Sequence, residues 1–192
     1  MFFRLAILTV MLGIASLSFA QQTKSFPNIK IKNFGQMDEH FYRGAQPKES
    51  DYKDLAALGV KTVIDLRDEP TSYEKKNVES LGMHYVNIPM SDTSYPRSDQ
   101  ISAFMKLAVD PATGKFFVHC AGGRHRTGVV GAVYRFNHDH WNYDQAYAEM
   151  KTYDFYTRWG HGAMKDFVQD YFKQGKPTGN STTTQAVSTK EQ

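Results

Sequence analysis

One stretch constrains the fold more than any other. Residues 116–128 read Phe-Phe-Val-His-Cys-Ala-Gly-Gly-Arg-His-Arg-Thr-Gly. The apolar run Phe116, Phe117 and Val118 has the pattern of a buried strand. A loop containing Gly122 and Gly123 follows, and an apolar-periodic helix opens near Arg126. The only cysteine of the chain, Cys120, stands at the strand end, with five residues between it and Arg126.

A strand that passes through a short glycine loop into a helix can curl its backbone N–H groups toward one point. Those groups, with the positive end of the helix dipole, bind a dianion such as phosphate. Ala121, Gly122, Gly123, Arg124, His125 and Arg126 are the candidate phosphate-binding residues, the two glycines allowing backbone angles that strain other residues. The same positive field lowers the pKa of a thiol at its centre, so Cys120 can be a thiolate near neutral pH. Arg126 offers a planar fork for two phosphate oxygens. A thiolate facing a clamped phosphate is the starting point of covalent phosphoryl transfer.

The segment resembles the signature of the cysteine-dependent protein tyrosine and dual-specificity phosphatases, His-Cys-x5-Arg-(Ser/Thr), through His119, Cys120, Arg126 and Thr127, with Gly123 and Gly128 at family glycine positions. Gly-Arg-His-Arg-Thr-Gly is most similar to the atypical dual-specificity phosphatases of plants and fungi and their bacterial relatives, with Arg124 in place of a lysine. Phe41-Tyr-Arg-Gly-Ala-Gln-Pro47 and Lys61-Thr-Val-Ile-Asp-Leu-Arg67 resemble the same group. The resemblance covers residues 38–173. It implies a dual-specificity-phosphatase-like α/β fold, a phosphocysteine intermediate, and an aspartate general acid on a loop upstream of the cysteine. For this group it also implies an association with inositol pyrophosphates.

The chain of 192 residues has room for one domain with a core that needs no staples. A net charge of +3 argues against wholesale nucleic-acid binding, so anion affinity must come from local clustering. Residues 1–20 read as a secretory signal. Arg4 is the positive region, Leu5 to Leu17 the apolar stretch, and Ser18-Phe19-Ala20 the cleavage site. The run is short for a membrane span and lacks a basic flank after it. The expectation is an exported, periplasmic or secreted protein with no stable span after cleavage. A single cysteine cannot form an internal disulfide, and a lone thiol in an oxidising compartment favours a reactive role.

In chain order, residues 21–37 read as an irregular lead-in, 38–174 as the phosphatase domain and 175–192 as a disordered tail. Phe41 to Arg43 is a short strand. A helix runs from Pro47 or Lys48 to Leu58 and ends at Gly59. Val60 to Leu66 is an apolar, β-branched central strand. Asp65 and Arg67 at its end fit either a structural ion pair near the phosphate loop or a solvated pair. Thr71 and Glu74 fit a capping box, opening a helix to Leu81, and Met83 to Ile88 is the next strand. Ser98 caps a helix carrying Ile101, Phe104, Met105 and Ala108 on one face. After the central motif come helices with Val129, Val130 and Val133 buried, then Tyr143 to Thr152 and His161 to Lys173. Strands alternating with helices, followed by helices alone, give an α/β fold. Its central sheet has about four mostly parallel strands, with helices on both faces and the loop at the carboxyl edge.

Two aspartates could protonate a leaving oxygen. Asp92 directly follows a strand and is the preferred candidate. Asp99 is better explained as a first-turn residue of the next helix, where the dipole favours it. His119 is expected to order the loop from a partly buried position, and Thr127 to hydrogen-bond the sulfur. No metal or cofactor is required. The partner is a phosphorylated substrate, a phosphopeptide or an inositol phosphate. Arg124 and His125 as extra positive groups suit the polyanion. A non-catalytic phosphate-binding module is the alternative of another class, and intact Cys120 and Arg126 argue against it. A sulfurtransferase loop is similar in outline but is disfavoured by the Arg126-Thr127-Gly128 ending.

Overall fold

The structure is a computed structural model that describes residues 26–175. The expected signal segment and tail lie outside the described residues. No helix among the described residues is long and apolar enough to cross a membrane.

The strands are β1 (Gly35–Gln36), β2 (Phe41–Ala45), β3 (Thr62–Arg67), β4 (His84–Met90) and β5 (Phe116–Cys120). They form one sheet in the order β1-β2-β5-β3-β4. The pairs β2–β5, β5–β3 and β3–β4 are parallel. The added fifth strand, β1, pairs antiparallel with β2 at the edge. At two residues it is too short to show alternation, so its stretch reads as irregular. Parallel strands flanked by β-branched and aromatic neighbours are buried on both faces, and β2 and β5 are buried at every position.

Among the described residues, six α-helices surround the sheet: α1 (Asp51–Ala57), α2 (Glu74–Ser80), α3 (Ser98–Val109), α4 (His125–His138), α5 (Tyr143–Thr152) and α6 (Gly162–Lys173). One core holds Phe116, Val118 and Cys120 of β5 with Val129, Val130 and Val133 of α4, Met150 of α5 and Phe167 of α6. The other holds Phe117 with Tyr52 and Leu55 of α1 and Val78 of α2. Side chains alternate across a strand, so Cys120 faces α4 while His119 faces α1 and α2. Each fully buried Phe or Leu contributes about 1.5–3 kcal/mol against exposure. Phe116, Phe117 and Leu55 are essentially inaccessible, so both layers are fixed firmly behind the central strand.

Three local expectations are corrected. Glu74 does not close a capping box. Helix α2 starts at Glu74 after Tyr73, the Thr71 hydroxyl is buried without a partner, and the Glu74 carboxylate turns into the core. Asp65 and Arg67 do not pair through their side chains. Asp65 is fully buried and accepts from the Arg67 backbone amide and the Tyr85 hydroxyl, while Arg67 donates to Gln46. Ser98 is the first residue of α3, not its cap; Arg97 is the boundary residue and its amide is accepted by the Gln100 side chain. The capping of α5 by Asn142 and Gln145 fits the expected start at Tyr143.

Candidate active site

β5 lies between β2 and β3, so its carboxyl end opens at the middle of the sheet edge. The loop from Ala121 to Arg124 leads directly into α4. Its three consecutive carbonyls are tied outward. Ala121 O accepts from the Gln46 amide at 3.2 Å. Gly122 O accepts from Asn33 Nδ2 at 2.8 Å. Gly123 O accepts from Arg43 Nη2 at 2.5 Å. A peptide unit points its N–H opposite to its C=O, so the amides that follow turn to the inner side of the curl. That is the geometry of an anion-binding nest, and the N-terminus of the fourteen-residue helix α4 adds its dipole there.

Gly123 is the residue this curl depends on. Its φ is +65°, and a Cβ there would lie 2.5 Å from the backbone carbon of Gly44 and 2.6 Å from the amide nitrogen of Ala45. Only glycine lets the loop sit this close to β2.

Cys120 is a free, buried thiol at 3% exposure. Burial alone would push its pKa up. The Thr127 hydroxyl and amide, the Arg126 charge and the Arg124 amide outweigh burial and bring it below the ordinary thiol range. The Thr127 hydroxyl is buried and makes no aligned hydrogen bond, which leaves its donor for the sulfur or for an oxygen bound at the loop. The expected thiolate thus has a physical origin in the groups the sequence singled out.

Arg126 is buried and extends along the sheet edge. Its Nη1 donates to the Met90 carbonyl at 2.9 Å and to Asp68 Oδ1 at 2.8 Å. Its Nε is buried and has no partner, a donor that an oxyanion oxygen can satisfy. Asp68, which follows β3 directly, was not among the sequence candidates. Its one signal is position: a carboxylate at the carboxyl edge of a central parallel strand, where ligands of such sheets bind.

His119 is wholly buried, not partly, and does not order the loop directly. Strand alternation turns it away from the loop to the opposite face. Its Nε2 lies 2.8 Å from Glu74 Oε1 and 3.9 Å from Asp65 Oδ1, contacts between charges rather than aligned hydrogen bonds. Burial works against its charge, but the Glu74 and Asp65 carboxylates and the thiol prevail, and its pKa is raised. Asp65, Glu74 and His119 are the one cluster among the described residues with donor atoms close enough for a metal ion. Glu74 Oε2 accepts from Gln46 and Asp65 Oδ2 from Tyr85, while Glu74 Oε1 and both His119 ring nitrogens make no aligned hydrogen bond. Glu74 is a second residue the sequence reading missed, because its spacing from Thr71 mimics a cap.

His125 does not add positive charge to the loop. Burial and the neighbouring His161 push its pKa down to about 4. Its ring stacks on His161 at 3.6 Å and 9°, and its Nε2 meets the Tyr156 carbonyl at 3.1 Å. Arg124 remains as the extra cation, with Nε 3.7 Å from Asp154 and the guanidinium 5.7 Å from the Tyr156 ring.

Asp92 lies exposed in the loop after β4, two residues beyond the Met90 carbonyl that anchors Arg126. Its own carbonyl accepts from His161 Nδ1 at 2.7 Å, tying this loop to the 153–161 segment. Asp99 sits in the first turn of α3 in an exposed bidentate pair with Arg97, the helical role expected of it.

The chain matches the model of a family described as DSP-PTPase phosphatase fused to NAD+ kinase over residues 14–168. OCA1 of Mycosarcoma maydis, named as a tyrosine-protein phosphatase, is 32% identical over 108 residues, covering 54% of this chain and 68% of its own. Among solved structures, the catalytic core of the S. cerevisiae PP-IP phosphatase SIW14, in complex with citrate, superposes with a TM-score of 0.66. It is 20% identical over 74% of this chain and 87% of its own. TpbA of Pseudomonas aeruginosa superposes with a TM-score of 0.64 at 22% identity, over 77% of this chain and 88% of its own. The fold is that of the dual-specificity phosphatases, and the chain belongs to the DSP-PTPase phosphatase family.

Proposed function

We propose that this protein hydrolyses phosphomonoesters through a cysteinyl-phosphate intermediate, with phosphorylated peptides or proteins as the substrate class. The observation that carries this reading is the pairing of a buried, acidified Cys120 with Arg126 at the two ends of a loop whose Ala121, Gly122 and Gly123 carbonyls are tied outward.

In the first step the Cys120 sulfur attacks phosphorus, forming a P–S bond as the bond to the leaving oxygen breaks. Asp92 gives that oxygen its proton. In the second, Asp92 takes a proton from water as the water oxygen attacks phosphorus. The P–S bond breaks, inorganic phosphate leaves and the thiolate returns. Arg126 and the loop amides hold the equatorial oxygens in both steps, a positioning and electrostatic contribution. Thr127 eases departure of the sulfur by hydrogen bonding to it. Residues 1–20 support export, so the substrates are sought in the periplasm or outside the cell.

A second reading, inositol polyphosphates or pyrophosphates, is favoured by one feature. Arg124 sits on the loop, held by no closer ion pair than the 3.7 Å contact to Asp154, with its guanidinium 5.7 Å from the Tyr156 ring. SIW14, which shares the fold, is described as a PP-IP phosphatase, and TpbA has been captured with phosphotyrosine.

The test is phosphate release under reducing conditions from an aryl phosphate, a phosphopeptide panel and inositol pyrophosphates. Cys120→Ser is expected to abolish release while keeping vanadate binding. Normal turnover by Cys120→Ser would overturn the mechanism. Vanadate binding by the unmodified protein without release of phosphate from any substrate between about pH 5 and 8 would make it a binding module.

A further inference from the structure

Arg43 is a charged side chain that the chemistry above does not use. It pairs in register with Val118 on β5, and alternation sends it and Cys120 to the same face, toward α4. It is 1% exposed. Helix α4 faces it at Gly131, where an added Cβ would lie in ordinary contact, 3.5 Å from its Nη1. The guanidinium carbon lies 3.9 Å from the centre of the Tyr153 ring. The Nη2 group donates to the Gly123 carbonyl of the phosphate loop, and Nε is buried without a partner.

What meets this buried cation is a carbonyl and an aromatic face, not a carboxylate. Glu149 is a carboxylate whose charge acts on it, but Glu149 is committed to Arg135, whose Nε and Nη2 reach both of its oxygens at 2.6–3.2 Å. A buried charge without a counter-ion is costly, and burial draws the Arg43 pKa down to about 10. The groups that favour its charge are Tyr153, Glu149 and Cys120, and Arg135 opposes it. The coupling is reciprocal: an anion that relieves a cation is stabilised by it to the same extent.

We propose that Arg43 is a positioning residue that serves as the buried counter-charge behind the phosphate loop. It fixes the loop through Gly123 and stabilises the Cys120 thiolate from the side opposite Arg126. The other groups acting on that sulfur are Thr127, Arg126 and the Arg124 amide from the loop and α4, and His119, backed by Glu74 and Asp65, from β5. Arg43 differs from all of these in coming from β2. The inference rests on the phosphatase reading for what the thiolate does, but its ionisation is measurable without turnover.

The experiment is the pH dependence of Cys120 alkylation by iodoacetamide in the full chain, with circular dichroism as the check on folding. Arg43→Gln keeps donor capacity and removes charge. It is expected to raise the inflection by about one pH unit, a roughly tenfold loss of thiolate below it. Arg43→Lys keeps charge but loses the planar fork, and its inflection is expected between those of the unmodified protein and Arg43→Gln. An unmoved inflection in both variants overturns the proposal, as does a larger rise in Arg43→Lys than in Arg43→Gln. If Arg43→Gln does not fold, Arg43→Lys decides alone: a raised inflection with weakened vanadate binding supports the proposal, and unchanged values overturn it. A protein whose alkylation responds to Arg43 but which releases no phosphate sinks the phosphatase reading and leaves this one standing. Active protein with an unresponsive thiol does the reverse.

Discussion

Arg126 and Asp68 meet at 2.8 Å across the mouth of the phosphate loop, with Arg126 buried and Asp68 half exposed. An incoming phosphate dianion needs the same guanidinium, so Asp68 is both its holder and its competitor. Like charges close together disfavour each other, and a half-exposed pair is worth little because solvent screens it. Asp68→Asn is therefore expected to tighten vanadate inhibition by about three- to fivefold, with kcat kept within about twofold. A collapse of kcat in Asp68→Asn would instead make Asp68, not Asp92, the proton donor. Inhibition and rate measured on one aryl phosphate separate the two outcomes.

The Glu74–His119 pair behind the loop predicts a pH signature of stability. His119 has a raised folded pKa, so its contribution is complete below its unfolded value near 6.5 and is lost as pH rises through the folded pKa. Glu74 has a lowered folded pKa, despite its burial, because His119 favours its charge. Its contribution is complete above 4.5 and is lost as pH falls through the folded value. The pair stabilises most between those two unfolded values. Glu74→Gln leaves a buried imidazole without its main counter-charge and is expected to cost about 3 kcal/mol near pH 6. It should also flatten the decline in stability as pH rises above 6.5 through the raised folded pKa of His119. Urea unfolding at several pH values reads both effects.

Two neighbouring glycines separate a steric requirement from a bystander. At Gly123 an added Cβ meets the backbone of Gly44 and Ala45 at φ +65°. Gly123→Ala is expected to lose about 1–3 kcal/mol, the range for an enforced strained conformation, and to lower kcat because the loop amides shift. At Gly122 the nearest atoms to such a Cβ are side-chain carbons of Arg124 at 3.6 Å. Gly122→Ala should stay within about 0.5 kcal/mol of the unmodified protein. Thermal melts of the two variants make the comparison.

The sheet, the order of its elements and the Cys120–Arg126 loop were legible because each carries a local pattern. An apolar β-branched run marks β3, spaced glycines mark the loop, and periodic valines mark α4. The missed features are those that depend on which chain segments meet. Glu74 stands three residues after Thr71, the spacing of a cap, and nothing local reveals that α2 folds over β5 to bring it against His119. Asp68 is one of two adjacent acids in the segment Arg67-Asp68-Glu69, and only the course of the Arg126 side chain selects it. The neutrality of His125 follows from its burial and from stacking on His161, which lies thirty-six positions away in sequence. The same fact weakens the argument for a polyanionic substrate, which had counted His125 as a cation.

That stack also bears on the proton donor. His161 touches His125 of the phosphate loop with its ring face and the Asp92 carbonyl with Nδ1. It therefore sets the distance between the acid loop and the nucleophile's loop. Asp92→Asn should lower kcat by about 10²–10⁴ on alkyl phosphates, whose leaving oxygens need a proton, and much less on aryl phosphates with acidic leaving groups. Asp99→Asn should do neither, because Asp99 is engaged with Arg97 in the first turn of α3. His161→Phe keeps a ring against His125 but loses the bond to the Asp92 carbonyl. It should reproduce a fraction of the Asp92→Asn defect with the same dependence on leaving group and an unchanged vanadate affinity. A plot of log kcat against leaving-group pKa for the four proteins is the measurement. Parallel lines for Asp92→Asn and the unmodified protein would remove Asp92 from the mechanism, and a His161→Phe line lower but parallel would reduce His161 to a packing residue.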